Sequence, residues 1–284
     1  MSWLLVTPAF NEADRLPAQA ASLAAQTLML IGLWVVVDDG STDGTATCVD
    51  WSALPFPVRV LRRDNTGGLA GASELLAFRA GARLGLAHLP TAERIMKLDA
   101  DLCLEPDYLA RLVGFGADTG LLGGELIGAR ELNNRAHVQG GLRAYTPAAY
   151  ALSRSLPPAL GWDVLDEVAI RRAGLSIAVE PLARAVASRV TGSSVGALRG
   201  RFRKGRSSRW SGYYPPYAAL QIAFHLLRRP YVIGGLALGW GYVSSGSGPF
   251  APDLKAFHRE GQRVQLVALC RNPVRWLQRA YGSH

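Results

Sequence analysis

The chain has 284 residues, 49% of them hydrophobic, and a formal net charge of +9 at pH 7, which suits a folded protein with one large core or two modest ones and excludes a disordered tail. Its three cysteines, Cys48, Cys103 and Cys270, are far apart and form no C-x-x-C pair, so neither a disulfide framework nor a zinc site is indicated. The chain does not open on a basic segment followed by an apolar core and a cleavage site, and a cytoplasmic location is expected.

Leu4 to Phe10 is an apolar run, and Asn11-Glu12-Ala13-Asp14 offers a helix cap with acids in the first turn. A strand and a helix are expected there, the helix carrying Leu16, Ala20, Leu23 and Thr27 at helical spacing. Leu33-Trp34-Val35-Val36-Val37 reads as a second buried strand that stops at Asp38-Asp39-Gly40-Ser41-Thr42-Asp43-Gly44. Turn-forming side chains explain that loop as a strand-to-helix connection; an Asp at the strand end could also accept hydrogen bonds from the N–H edge of a nucleobase. Val58 to Leu61 is a third strand, Asn65 to Gly71 a glycine-rich loop, and Ser73 to about Leu86 a helix. Arg94-Ile95-Met96-Lys97-Leu98 is a further buried strand, ending in Asp99-Ala100-Asp101; a helix from Leu104 to Gly116 and a strand from Gly120 to Ile127 follow. Strands alternating with helices imply right-handed crossovers and a mainly parallel sheet, with the two acid-bearing loops at one edge.

In extended backbone Asp99 and Asp101 face the same side. Mg²⁺ or Mn²⁺ often takes only one or two carboxylates and leaves its other positions to water and substrate phosphates. A turn opening before Glu105-Pro106-Asp107 explains the same spacing without a metal. Neither G-x-G-x-x-G after the first strand nor G-x-x-x-x-G-K-[ST] is present, which argues against a dinucleotide enzyme and a P-loop NTPase. The histidines are scattered, with no metal-site spacing.

The charge is split along the chain. Residues 1–180 hold 15 Lys+Arg against 20 Asp+Glu, net −5, and residues 181–284 hold 16 against 2, net +14. Arg199, Arg201, Arg203, Lys204, Arg206 and Arg209 form a cluster that attracts phosphate-rich partners or, with only three lysines in the chain, is solvated surface in which Arg is the default cation. Trp210 to Leu227 and Tyr231 to Val243 are apolar, aromatic runs on either side of Arg228-Arg229-Pro230. The first is broken by Pro215-Pro216, and the second falls short of the ~20 residues a membrane-spanning helix needs. Core packing and an element lying on a membrane surface are the two readings, and the arginines beside aromatics favour the second.

Val6-Thr7-Pro8-Ala9-Phe10-Asn11-Glu12, Val37-Asp38-Asp39-Gly40-Ser41-Thr42-Asp43, the Asn65–Gly71 loop and Leu98-Asp99-Ala100-Asp101, in this order, resemble the motifs of the family 2 glycosyltransferases over roughly residues 2–180. The resemblance implies an α/β fold of the GT-A kind, a mainly parallel sheet with flanking helices, as a catalytic domain over 1–180. A basic, aromatic, mostly helical extension over 181–284 would pack on it. It implies that Thr7, Pro8 and Glu12 border the nucleotide, Asp39 contacts the base, Asp99 the ribose or metal, and Asp101 the metal. Many members carry Arg-Asn after the glycine loop where this chain has Ala72-Ser73, which leaves Arg62, Arg63 or Arg79 as substitutes.

An inverting transfer needs a carboxylate to take the proton of the attacking hydroxyl. The family draws it from a Glu-Asp pair opening a helix, and here Gly161-Trp162-Asp163-Val164-Leu165-Asp166-Glu167 offers the pair inverted. Asp166 is the expected base, with Glu167 second and Asp163 third; the other reading is that these acids only favour a helix N-terminus. Gln139-Gly140-Gly141 is read as a strand end that lets an acceptor approach the backbone, or as a plain turn. Ser188-Arg189-Val190-Thr191-Gly192 lacks the histidines that such relatives often place there, which leaves at most Arg189 for phosphate.

The expectation is an inverting, metal-dependent glycosyltransferase that uses Mg²⁺ or Mn²⁺, a nucleotide-diphosphate sugar donor and a carbohydrate or lipid-linked acceptor. It would act in polysaccharide or glycolipid synthesis, in the cytoplasm or at the inner face of the membrane, with an anionic membrane surface as a partner and nucleic acid not. The alternatives are a sugar nucleotidyltransferase and a basic nucleic-acid-binding protein, although strand-end carboxylates without metal would repel a polyanion.

Overall fold

The structure, a computed structural model, describes residues 1–65, 73–116, 119–128, 137–188 and 196–274. They divide into two compact units, Met1–Arg154 with Gly174–Val190, and Ser155–Ala173 with Thr191–His284.

The first unit is built on β1 (Trp3–Ala9), α1 (Leu16–Ala24), β2 (Ile31–Asp38), β3 (Val58–Arg62), α2 (Ser73–His88), β4 (Arg94–Leu98), β5 (Leu102–Leu104), α3 (Tyr108–Phe115), β6 (Leu121–Ile127), β7 (Leu142–Tyr145), α4 (Pro147–Arg154) and β8 (Ile177–Ala187). The eight strands form one sheet in the order β3-β2-β1-β4-β7-β6-β8-β5. β1 to β4 run parallel, and β7 lies antiparallel between β4 and β6. Because β1 and β4 are buried along their whole length, their apolar residues do not alternate with exposed polar ones, and the two charges of β4, Arg94 and Lys97, are buried too. Val6 of β1 pairs with Val35 on one side and Lys97 on the other, and Ala9 pairs with Asp38. The carboxyl ends of β2 and β4 therefore flank that of β1, as the alternation of elements implies. The core beneath them is Leu5, Trp34, Val36, Met96 and Leu98, with Leu16, Ala20 and Leu23 of α1.

Three local expectations are corrected. α1 starts at Leu16, with Arg15 in the cap position and no side-chain cap bond, because Asn11 and Glu12 are drawn into a neighbouring loop. The helix expected from Leu104 starts at Tyr108, since Leu102 to Leu104 adds to the sheet antiparallel to β8. β8 itself is missed by periodicity: Pro181 and Arg184 interrupt its apolar residues, as its mixed burial allows, and it runs through residue 180.

The second unit is helical: α5 (Trp162–Arg172), α6 (Ala197–Trp210), α7 (Pro215–Leu226), α8 (Ile233–Val243) and α9 (Pro252–Arg271). α8 packs on α6 and α7, and α5 on α9, where Arg172 and Asp253 form an ion pair of 2.6 Å. Among the described residues no helix is long and apolar enough to cross a membrane; the 11 residues of α8 span only ~16 Å.

Candidate active site

The loop after β1 is stapled to the loop after β2. The N–H of Asn11 donates to Ser41 Oγ at 3.0 Å, that of Glu12 to Thr45 Oγ1 at 2.9 Å, and that of Ala13 to Asp43 Oδ2 at 3.0 Å; the N–H of Thr42 returns to Asn11 Oδ1 at 2.9 Å. The Thr45 hydroxyl holds the Asp43 carboxyl below the usual carboxylate range, with the backbone bonds adding to it. Polar side chains thus serve loop backbone that no sheet neighbour can satisfy. Glu12 is nearly buried and pairs with Arg15 at 2.7 Å.

The two acids that end β2 have different work. Asp38, fully buried, accepts the Ser41 N–H at 2.8 Å and pairs with Arg62 at 3.0 Å, so it ties its own loop together. Asp39 Oδ2 accepts the Ser73 hydroxyl at 2.5 Å, which closes the start of α2 onto the loop. Arg63 Nε lies 3.1 Å from Asp39 Oδ1, yet this buried oxygen receives no aligned hydrogen bond. The guanidinium neutralises the charge without aiming an N–H at Oδ1, and a buried acceptor left in that state is open to an incoming donor.

At the end of β4 the fully buried Lys97 ion-pairs with both Asp99 and Glu74, and donates to the Gly140 carbonyl at 3.0 Å. Burial pulls the ammonium pKa down, but the charges of Asp99 and Glu74 outweigh it and hold the pKa above its ordinary value. Asp99 packs on Gly141 so closely that a Cβ there would lie 2.5 Å from Asp99 Oδ2. The two glycines thus precede β7 instead of ending a strand; Gly141 makes room for Asp99, and the Gly140 carbonyl accepts from Lys97. From below, Gln19 Nε2 donates to the Asp99 carbonyl at 2.7 Å and the Leu102 carbonyl at 3.0 Å. Asp101 is partly exposed, and among the described residues no three His, Cys, Asp or Glu cluster as an all-protein metal cage. Two carboxylates without softer ligands are the donor set that Mg²⁺ or Mn²⁺ takes when phosphate completes its shell, so the residues fit such an ion.

In the second unit, α5 begins after Gly161, which holds φ +87°. Only Asp163 lies in its first turn, so the helix dipole accounts for Asp163 and not for Asp166 or Glu167. Asp166 is fully buried and Glu167 nearly so, with Arg171 3.3 Å from Glu167. Asp163 is partly exposed.

The first unit's geometry is that of an open sheet with acids at the strand ends, and residues 4–123 match the family model described as glycosyl transferase family 2. This segment is similar to glycosyl transferase family 2. The chain is 36% identical over 122 residues to the polyprenol monophosphomannose synthase of Mycolicibacterium smegmatis, covering 40% of this chain and 42% of the relative. It is 34% identical over 114 residues to the undecaprenyl-phosphate mannosyltransferase of Micrococcus luteus, covering 40% of this chain and 43% of the relative. The match spans about two fifths of the length of these curated relatives.

Among solved structures, a mannosyltransferase from Pyrobaculum calidifontis in complex with GDP-Man and Mn²⁺ superposes with a TM-score of 0.55 at 18% identity, over 93% of this chain and 80% of that one. Glucosyl-3-phosphoglycerate synthase from Mycobacterium tuberculosis, in complex with Mn²⁺, UDP and glucosyl-3-phosphoglycerate, gives 0.52 at 22% identity, over 72% and 77%. These likenesses establish the fold, GT-A, as the family 2 motifs imply.

Within residues 4–123 the structure gathers Glu12, Asp39 and the Asp99–Asp101 turn at the carboxyl ends of β1, β2 and β4. Pro8 is buried within β1. The hydroxyl of Thr7, expected to border the nucleotide, donates to Gln19 at 3.2 Å and accepts from Trp34 Nε1 at 2.9 Å, so its side chain is anchored inside the sheet. Arg62 and Arg63 are spent on Asp38 and Asp39, and Arg79 donates to the Ser153 carbonyl at 2.9 Å. Residues 66–72 and Arg189 lie outside the described residues.

Lys97, Glu74 and Gln19 are missed by the motif reading. Gln19 was detectable as a polar residue on the apolar stripe Leu16, Ala20, Leu23, and Lys97 as a charge inside an otherwise apolar strand.

Proposed function

We propose that the chain is an inverting, metal-dependent glycosyltransferase that moves a sugar from a nucleotide diphosphate to an acceptor hydroxyl. The observation that carries the reading is the Asp39 carboxylate: held by Ser73 and Arg63 at the end of β2, it keeps one buried oxygen without a hydrogen bond. That oxygen suits the N–H edge of a nucleobase, while Glu12 and Arg15 pair just past the end of the neighbouring strand β1. Asp101, with Asp99, would hold Mg²⁺ or Mn²⁺, which when bound neutralises the departing diphosphate. Lys97 holds the Asp99 carboxylate in place through their ion pair, and the Gln19 amide holds the backbone of the turn that carries both acids.

The base is drawn from α5, Asp166 first and Glu167 second, because buried carboxylates beyond the first turn need a reason other than the helix dipole. Two curated relatives are named for polyprenol and undecaprenyl phosphate, and this favours a lipid-linked acceptor at an anionic membrane surface. Incubation with UDP-, GDP- and dTDP-sugars, a polyprenyl phosphate and Mn²⁺ should release nucleoside diphosphate. Release of pyrophosphate instead would make the protein a nucleotidyltransferase.

A further inference from the structure

α8 is apolar on both of its sides. Its small residues face its neighbours: a Cβ on Gly241 would lie 2.1 Å from the Phe202 carbonyl oxygen of α6, and one on Gly235 2.5 Å from Leu226 of α7. Leu238 and Tyr242 are buried with them, whereas Ile233, Leu236, Trp240 and Val243 face water, between 53% and 69% exposed, at spacings that align them along one face. α7 continues the pattern with Leu220, Phe224 and, just past its end, Leu227, which is 79% exposed. α8 is therefore apolar on its wet side as well as its packed one, and an exposed apolar face of this kind marks an interaction site.

We infer that the outward face of α7 and α8, with the Arg228-Arg229 turn between them, docks on an anionic lipid bilayer and lies in its interface. The inference rests on the reading of a membrane-held acceptor given above. Charge selects this occupant. The Arg228 guanidinium sits 4.3 Å over the Phe224 ring and that of Arg229 6.0 Å from the centre of Tyr231, so cations and aromatics share the edge of the apolar face, the pairing that suits headgroup depth. Between Glu180 and Asp253 the chain has no acidic residue. A second copy of the chain brought onto this face would set arginine against arginine, whereas anionic headgroups complement it. At ~16 Å, α8 is too short to cross the ~30 Å hydrocarbon core, so its apolar face enters the interface and goes no deeper.

Flotation of the full chain with vesicles of phosphatidylcholine, alone or mixed with phosphatidylglycerol, tests this. Wild-type protein should float with the mixed vesicles and remain behind with phosphatidylcholine alone. Removing two interfacial charges in Arg228→Ser/Arg229→Ser should weaken partitioning about 30-fold, and Leu236→Asp/Trp240→Asp should abolish flotation. A metal-dependent thermal shift with nucleotide, unchanged in both variants, shows that they fold and keeps failure here distinct from failure of the donor site. Wild-type protein that ignores the mixed vesicles overturns the inference. Flotation that survives Leu236→Asp/Trp240→Asp also overturns it, pointing to a polyanion site made of arginines alone, or to an interface between copies if light scattering shows a wild-type dimer that this variant loses.

Discussion

Lys97 and Asp99 form an ion pair across two residues of one strand end, the ammonium fully buried and the carboxylate 31% exposed. The charge of Lys97 is therefore fixed by the site and not by solvent. Glu74, in the first turn of α2, shares the same ammonium, so the strand that carries the Asp99–Asp101 pair is joined to the helix that follows the glycine-rich loop.

Lys97→Met should leave Asp99 and Glu74 without their shared cation. Because both acids reach solvent, the stability lost should be about 1–3 kcal/mol, less than the 3–5 kcal/mol of a wholly buried pair. Urea unfolding measures it. Lys97→Arg should keep the fold but displace Asp99, which would show as weaker stabilisation by nucleotide with Mn²⁺.

Gln19→Leu keeps the volume of the α1 side chain but leaves the Asp99 and Leu102 carbonyls and the Thr7 hydroxyl short of a partner inside the sheet. A cost of roughly 2–3 kcal/mol is expected, read by denaturant midpoint. Nucleotide affinity should fall more than a surface change of equal stability would cause.

Asp166→Asn should lower kcat by about 10²–10⁴-fold with little change in donor KM, the effect of losing a general base. Glu167→Gln should cost less. The reverse order of the two kcat losses would transfer the role to Glu167.

His258 is expected to make the second unit sensitive to acid. Its Nδ1 donates to the Ser211 carbonyl at 2.8 Å, its ring meets Tyr213 edge-on, and Arg171, Arg259 and Glu167 surround it. Burial, aided by Arg171 and Arg259 and opposed by Ser211 and Glu167, holds its pKa below the usual 6.5. The unfolded chain then takes up a proton that the folded chain refuses. Stability is full above about pH 6.5 and falls as pH drops toward the folded value. Melting curves between about pH 5 and 8 should show this slope, and His258→Gln should flatten it.

Much of this was legible in the sequence because it rests on period and order. The buried runs of β1, β2 and β4 are continuous, and helical spacing places α1 and α2, so the strand ends and their acids can be found by counting. Burial and charge pairing are not periodic signals. Nothing in the spacing of Thr7 says that Gln19 and Trp34 take up its hydroxyl, nor that Ser73 would grip Asp39. β8 carries Pro181 and Arg184 because it sits near the sheet's edge, beyond the reach of a pattern rule. Asp166 and Glu167 are identifiable by type, but their deep burial belongs to the folded chain.

The measurement that bears most directly on the donor site is a thermal-shift titration of UDP, GDP, dTDP and CDP, each with and without Mn²⁺, on wild-type protein and Asp101→Ala. One nucleotide should raise the melting temperature of the wild type in a concentration-dependent way, only when Mn²⁺ is present, and should leave Asp101→Ala unmoved. Equal stabilisation without metal or in Asp101→Ala, or no stabilisation by any of the four, would contradict a metal-dependent donor site at the end of β4.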